Sequence, residues 1–147
     1  MKKIALSLLL VSLLASSLAA CSSPVELTVT QLMASPSKYD GEVVTVNGYY
    51  FQGWETVLLC EGLKYSGLAE GHLGPDGAIM WVEGGLPLEV YENLYVQSDM
   101  GPEERYGKIR VKGKFETGGQ YGHLSAHHSR ITPQAVELLP WSPPAPD

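Results

Sequence analysis

Cysteine is scarce in this chain, two residues in 147, and no C-x-x-C pair occurs. That excludes the motif-type thiolate zinc and redox sites. The G-x-S-x-G turn, the P-loop and H-E-x-x-H are absent too, and with them the signatures of common hydrolases, nucleotide-binding enzymes and zinc proteases. The expectation is no enzyme and no cofactor. Positive charge is also short. Ten basic side chains face sixteen acidic ones, and setting aside Lys2 and Lys3, in a segment expected to be removed, leaves eight against sixteen. Phosphate neutralisation by Lys and Arg dominates nucleic-acid affinity, so nucleic acid is disfavoured as a partner. The length allows one domain with a core and leaves no room for two.

Long apolar runs are missing except at the start. Lys2 and Lys3 precede an uncharged run of 17 residues, Ile4 to Ala20, which ends in two small residues before Cys21. That is the layout of an export signal over residues 1–20, in helical form, with a membrane-spanning helix as the competing reading. The quartet Leu18-Ala19-Ala20-Cys21 resembles the lipobox of bacterial lipoproteins. The resemblance implies that Cys21 is acylated and becomes the first mature residue, anchoring the chain to the cell envelope with its domain on the extracytoplasmic side. One acyl chain holds only marginally, so firm anchoring takes two or more. Ser22 stands where some such families carry an Asp retention signal, which in a host with two membranes points to the outer one. A disulfide between Cys21 and Cys60 is the structural alternative. Cys60, in "TVLLC", reads as a small buried hydrophobe, with a reactive thiol as the other reading.

Sixteen glycines and ten prolines suit short strands and turns better than long helices. Residues 21–27 read as a tether, 28–139 as the folded domain, and 140–147, ending in "PWSPPAPD", as a Pro-rich disordered tail. Thr30 is expected to cap a helical turn that stops before Pro36. In "YDGEVVTVNGYYF" Val44, Val46 and Tyr50 share one face and Thr45, Asn47 and Tyr49 the other, the period of a half-buried strand. "RYGKIRVKGKF" repeats the grammar with Ile109, Val111 and Phe115 inside. Gly48 and Gly113 interrupt the two strands where a small barrel has to bend. Further strands are expected at residues 54–60 and 78–84, a short helix from Pro87 to Val96, and a last strand through "AVELL", with Pro133 breaking it or placing it at an edge. Strand, strand, strand, helix, strand, strand is the order of the OB-fold, so the expected class is all-β: a small five-stranded OB-like Greek-key barrel with one or two short helices.

These stretches, "SPSKYDGEVVTVNGYY", "RYGKIRVKGKF" and "GHLSAHHSRI", resemble small secreted or lipid-anchored bacterial proteins of an OB-like type. Their motifs are structural, so the resemblance implies the fold and no activity; barrels of this kind host many unrelated functions.

Lys108, Arg110, Lys112 and Lys114 alternate along one strand and so form a basic stripe about 20 Å long. It suits either an anionic ligand or an edge strand that lysines keep from pairing. Tyr49, Phe51 and Trp54 are candidate stacking residues beside it, with packing as the plainer reading. His72, His123, His127 and His128 are too scattered to ligate one metal ion, and no metal is expected. Glu103 and Glu104 read as a solvated turn. The Gly-rich stretch 61–78 reads as a long loop over a barrel mouth. The sum is a membrane-anchored binding or structural module. Its partners are the membrane through Cys21 and an envelope protein or anionic envelope component, met by Tyr49, Phe51, Trp54 and the stripe. Oligonucleotide or other polyanion binding by Lys108 to Lys114 is the alternative.

Overall fold

The computed structural model describes residues 25–145; the segment expected to be an export signal, and Cys21, lie outside the described residues. In chain order the elements are β1 (Glu26–Thr28), α1 (Val29–Ala34), β2 (Val43–Gln52), β3 (Val57–Tyr65), β4 (Leu73–Val82), α2 (Leu88–Tyr91), β5 (Tyr95–Gln97), β6 (Glu104–Tyr121) and β7 (His127–Leu138). Five strands close on themselves in the order β2-β3-β4-β7-β6 and back to β2. Every pair within the ring is antiparallel except β4 with β7, which run parallel at Trp81↔Arg130 and Val82↔Ile131. This is the connectivity of the expected OB-like Greek-key barrel.

The period-two pattern decides which residues fill it. Val44, Val46 and Tyr50 from β2 and Ile109, Val111 and Phe115 from β6 point inward and are buried, with Leu59, Met80, Val82 and Ile131 from the other walls. Val29 and Leu32 of α1 join the same core. β2 changes partners midway, pairing with β1 over Thr45–Asn47 and with β3 from Tyr49 onward, while β6 follows its other edge throughout. Gly48 stands at that handover. A Cβ there would lie 2.8 Å from Val29 Cγ2 and 2.9 Å from the Cys60 carbonyl oxygen, so the close approach of α1 and β3 requires glycine.

Several boundaries differ from the sequence reading. Thr28, not Thr30, caps α1: its hydroxyl accepts from the Gln31 N–H at 3.2 Å while the Gln31 side chain accepts from the Thr28 N–H at 2.9 Å, a reciprocal box that fixes the start two residues earlier. Residues 26 and 27, expected in the tether, pair with β2, because Leu27 buries its side chain opposite Val46. The stretch 61–78 is mostly hairpin, with β3 and β4 paired from Gly62↔Asp76 to Tyr65↔Leu73 and a bulge absorbing the glycines. The helix expected from Pro87 to Val96 is one turn, and its continuation becomes β5, paired with β6. Pro133 does not break β7; it lies past the end of the pairing with β4, which stops at Ile131, so that side of the strand is an edge, and it sits where the pairing with β6 slips by one residue, a bulge that needs no donor from it.

Cys60 is wholly buried, and its thiol donates to the Tyr49 carbonyl oxygen at 3.1 Å. Burial pushes its pKa up to about 12. The thiol is therefore expected to be inert to Ellman's reagent in the folded chain and to react on unfolding. The raised value also sets a pH dependence. The unfolded thiol ionises near 9 and the folded one only near 12, so its stabilising share is whole below pH 9 and declines as pH climbs from 9 toward 12. Urea midpoints at pH 8 and 10.5, compared with a Cys60→Ala chain that lacks the thiol, check the sign.

Candidate functional site

The outer wall of the β2–β6 pair carries the residues that sequence pattern singles out, because alternate positions on both strands face away from the core. Across it stand Phe51 opposite Tyr106, Tyr49 opposite Lys108, Asn47 opposite Arg110, Thr45 opposite Lys112 and Val43 opposite Lys114. The basic stripe is thus one continuous row, but its charges have different surroundings. The Arg110 guanidinium lies 2.7 Å from Glu137 and 3.2 Å from Glu26, and also donates to Asn47. Lys114 pairs with Glu116 at 3.2 Å, whose carboxyl is held below the usual range by Arg130 first and Lys114 second. Lys112 stays exposed near Lys38 on a cleft of about 400 Å³ that includes Val25, Tyr39 and Val43. Lys108 places its ammonium 5.7 Å from the Tyr49 ring centroid, within cation–π range.

At the Lys108 end the wall becomes aromatic. Tyr95 of β5 stacks on Tyr106 at 5.9 Å, and the indole of Trp141 meets Tyr49, Tyr95 and Tyr106 edge-on at 5.3, 5.6 and 6.2 Å. Edge-on packing matches ring edges to ring faces and contributes beyond burial alone. Phe51, Leu73 and Tyr106 lie buried beneath, with Leu63 and Trp141 packed against them. Burial is the main cause that raises the pKa of Tyr49 and of Tyr106, so both phenols stay protonated. A cleft of about 320 Å³ opens beside Trp141, lined by Asn93, Tyr95, Lys108 and Leu138 among others.

Trp141 belongs to the tail expected to be disordered, and residues 140–145 instead lie on this wall. The physical reason is the indole: an aromatic anchor inside a proline-rich segment finds three tyrosine rings. Sequence pattern gave no weight to Trp141, Tyr65, Tyr95 or Tyr106, although an aromatic residue amid prolines was the available signal. The candidate residues are only partly brought together. Tyr49 and Lys108 share the aromatic end, Phe51 is 5% exposed beneath it, and Arg110, Lys112 and Lys114 continue along the wall. Trp54 stands apart on the β2–β3 hairpin, 78% exposed; its neighbour Glu55 pairs with His123 of the β6–β7 turn at 3.2 Å.

The histidines serve separate local contacts. His127 stacks on Trp81 at 5.6 Å, and burial, then His128, lowers its pKa. His128 lies 3.2 Å from the Gly119 carbonyl oxygen. His72 is buried, with Nδ1 2.7 Å from Ser66 Oγ and Nε2 2.8 Å from Glu104 Oε2. Ser, His and Glu are the residue types of a nucleophile relay. Here, however, the serine oxygen accepts from the Leu68 N–H and Glu104 also accepts from Gln97. The network pins the loop 66–72 to the start of β6. Glu104, read as a solvated turn residue, is its half-buried hub. Among the described residues no three His, Cys, Asp or Glu side chains converge on one point.

No protein-family model and no solved structure matches the chain. Over 96 residues it is 31% identical to formamidopyrimidine-DNA glycosylase of Rippkaea orientalis (strain PCC 8801 / RF-1), a match that takes in 60% of this chain and 34% of that protein. The chain thus spans about a third of the length of the curated relative it matches. No described helix is long and apolar enough to cross a membrane.

Proposed function

We propose that this chain is an exported, lipid-anchored binding module without enzyme activity, held to the envelope through Cys21, whose recognition surface is the aromatic end of the β2–β6 wall. One observation carries the reading: half-buried Tyr49 and Lys108, exposed Tyr95 and the buried ring of Tyr106 beneath them converge at one end of the wall and clasp an indole. Aromatic rings with a polar tip are the usual anchors of recognition surfaces, since they bury large area at small entropic cost. The sequence Leu18-Ala19-Ala20-Cys21 supports the anchor. A domain tethered near a bilayer meets envelope components at high local concentration, so modest affinity suffices.

Crosslinking and affinity recovery from the native membranes test it. The full chain and the Cys21→Ala form are expected to recover the same component, the latter less efficiently, and Lys108→Glu to lose most of it. Recovery unaffected by Lys108→Glu would contradict the surface; a native chain whose Cys21 carries no acyl mass would contradict the anchor.

A second reading, binding of an oligonucleotide or other polyanion, is favoured by the continuous row from Lys108 to Lys114 and by the partial likeness to a protein named as a DNA glycosylase. Against it stand the acidic balance of the chain and the carboxylates that already occupy Arg110 and Lys114. Titration with single-stranded DNA at 50 and 200 mM salt decides, because binding through phosphates falls steeply between the two.

A further inference from the structure

The tail lies on the barrel in the manner of a bound peptide rather than as part of the sheet. The last backbone tie is the Leu139 N–H to the Lys108 carbonyl oxygen at 2.8 Å, and among the described residues no backbone–backbone hydrogen bond holds residues 140–145. Tyrosine hydroxyls hold them instead. Tyr95 Oη donates to the Trp141 carbonyl oxygen at 2.9 Å, and Tyr65 Oη shares its proton between the carbonyl oxygens of Pro144 at 3.0 Å and Ala145 at 2.7 Å. The donors are side chains on the face of the wall, the acceptors are main-chain carbonyls of a proline-rich run, and one large side chain, Trp141, fills the space between rings.

This is the chemistry by which aromatic grooves recognise extended proline-rich segments. Proline fixes φ near −65° and lacks an N–H, so such a segment is already extended, loses little entropy on docking and offers carbonyls as its only main-chain handles. Tyrosine answers with an apolar ring for the pyrrolidines and a hydroxyl for the carbonyls. We propose that the groove formed by Tyr49, Tyr65, Tyr95 and Tyr106 is a recognition site for extended proline-rich peptides bearing an aromatic anchor, occupied in cis by the chain's own "WSPPA", residues 141–145. The inference rests on the reading of the barrel as a binding module and names the class of ligand for that surface. The cis segment acts as a competitor: a short connection gives it an effective concentration in the millimolar range, so a partner's segment enters only where it binds better or where the tail is drawn off.

The test uses the full chain carrying Trp141→Ala, which keeps the tail but removes its anchor, and a fluorescein-labelled peptide of sequence WSPPAPD read by anisotropy. The variant is expected to bind with Kd on the order of 10–100 µM, and the unaltered chain at least tenfold more weakly. Adding Tyr95→Phe or Tyr65→Phe to the variant is expected to weaken binding about fivefold, the loss of one hydrogen bond. No binding by the Trp141→Ala chain overturns the assignment, and equal binding by the unaltered chain overturns the cis occupancy. A chain ending at Pro140 that fails to fold identifies the tail as core and overturns it as well. If the peptide fails while Lys108→Glu still abolishes recovery from membranes, the ligand class falls and the binding surface stands; if both fail, the surface falls with it.

Discussion

Phe115→Ala is expected to lower stability by about 3–5 kcal/mol, a large share of the roughly 5–15 kcal/mol that holds an ordinary domain together. Phe115 is wholly buried, projects from β6 into the barrel, and packs in the cluster that includes Val44, Val46 and Ile131. A closed barrel cannot slide its walls together without breaking ladder hydrogen bonds, so the cavity left by the ring would persist and the cost should approach the upper part of that range. Urea unfolding checks it: the midpoint should fall while the slope stays unchanged. A loss below about 1 kcal/mol, within the range of surface substitutions, would mean that the ring is not in the core.

The second large effect is at a glycine. In Gly113→Ala the new Cβ would stand 2.4 Å from the Thr132 carbonyl oxygen and 3.1 Å from Ile131 Cγ1. The first of these is backbone in the partner strand β7, at the bulge beside Pro133, so relief requires the two strands to separate. Overpacking of this kind is expected to cost about 3 kcal/mol. Gly62→Ala supplies the contrast. Gly62 has an ordinary negative-φ backbone and nothing within 4 Å of an added Cβ, so that change should stabilise the barrel by about 0.4–1 kcal/mol through the unfolded chain. Parallel denaturation curves would show the two substitutions moving the midpoint in opposite directions; a shift of the same sign and size in both would contradict the assigned strand pairing.

The barrel was legible where alternation is strong. Residues 43–51 and 106–115 each place inward side chains at every second position with a glycine at the bend, and the structure pairs these two stretches along their length. What escaped the pattern has physical causes. The hairpin extension of β3 and β4 is masked by glycines at turn and bulge positions, and by Lys64 and Asp76, whose ion pair across the strands is invisible to a single-strand reading. β5 is three residues long and owes its place to pairing with β6, a long-range contact with no local signature. The Leu86, Val90 and Leu94 spacing is equally consistent with one helical turn followed by a further turn that buries Leu94, and the latter occurs, with the Leu94 N–H donating back to the Tyr91 carbonyl oxygen just before β5.

The site was legible in half. Tyr49 and Lys108 can be chosen from sequence because alternation puts both on the solvent side of strands expected to be neighbours. Of the partners that complete the surface, Tyr106 stands two residues before Lys108 on β6 and shares its face by the same alternation, whereas Tyr65 at the end of β3, Tyr95 on β5 and Trp141 in the tail come from elsewhere. Nothing in local periodicity brings those three together. The basic stripe also shows what a sequence cannot rank, since four cations of equal standing in the chain become one braced between two carboxylates, one paired with a neighbour, one set over a ring and one left exposed.

The central claim is that a closed five-stranded barrel folds its own tail onto an aromatic wall. Nuclear Overhauser contacts from the Trp141 indole, in an isotope-labelled full chain, test it most directly. Cross-peaks to the rings of Tyr49, Tyr95 and Tyr106 are predicted, together with slowed rotation of the Tyr95 ring. An indole with random-coil shifts and no contact to any of the three rings would contradict it.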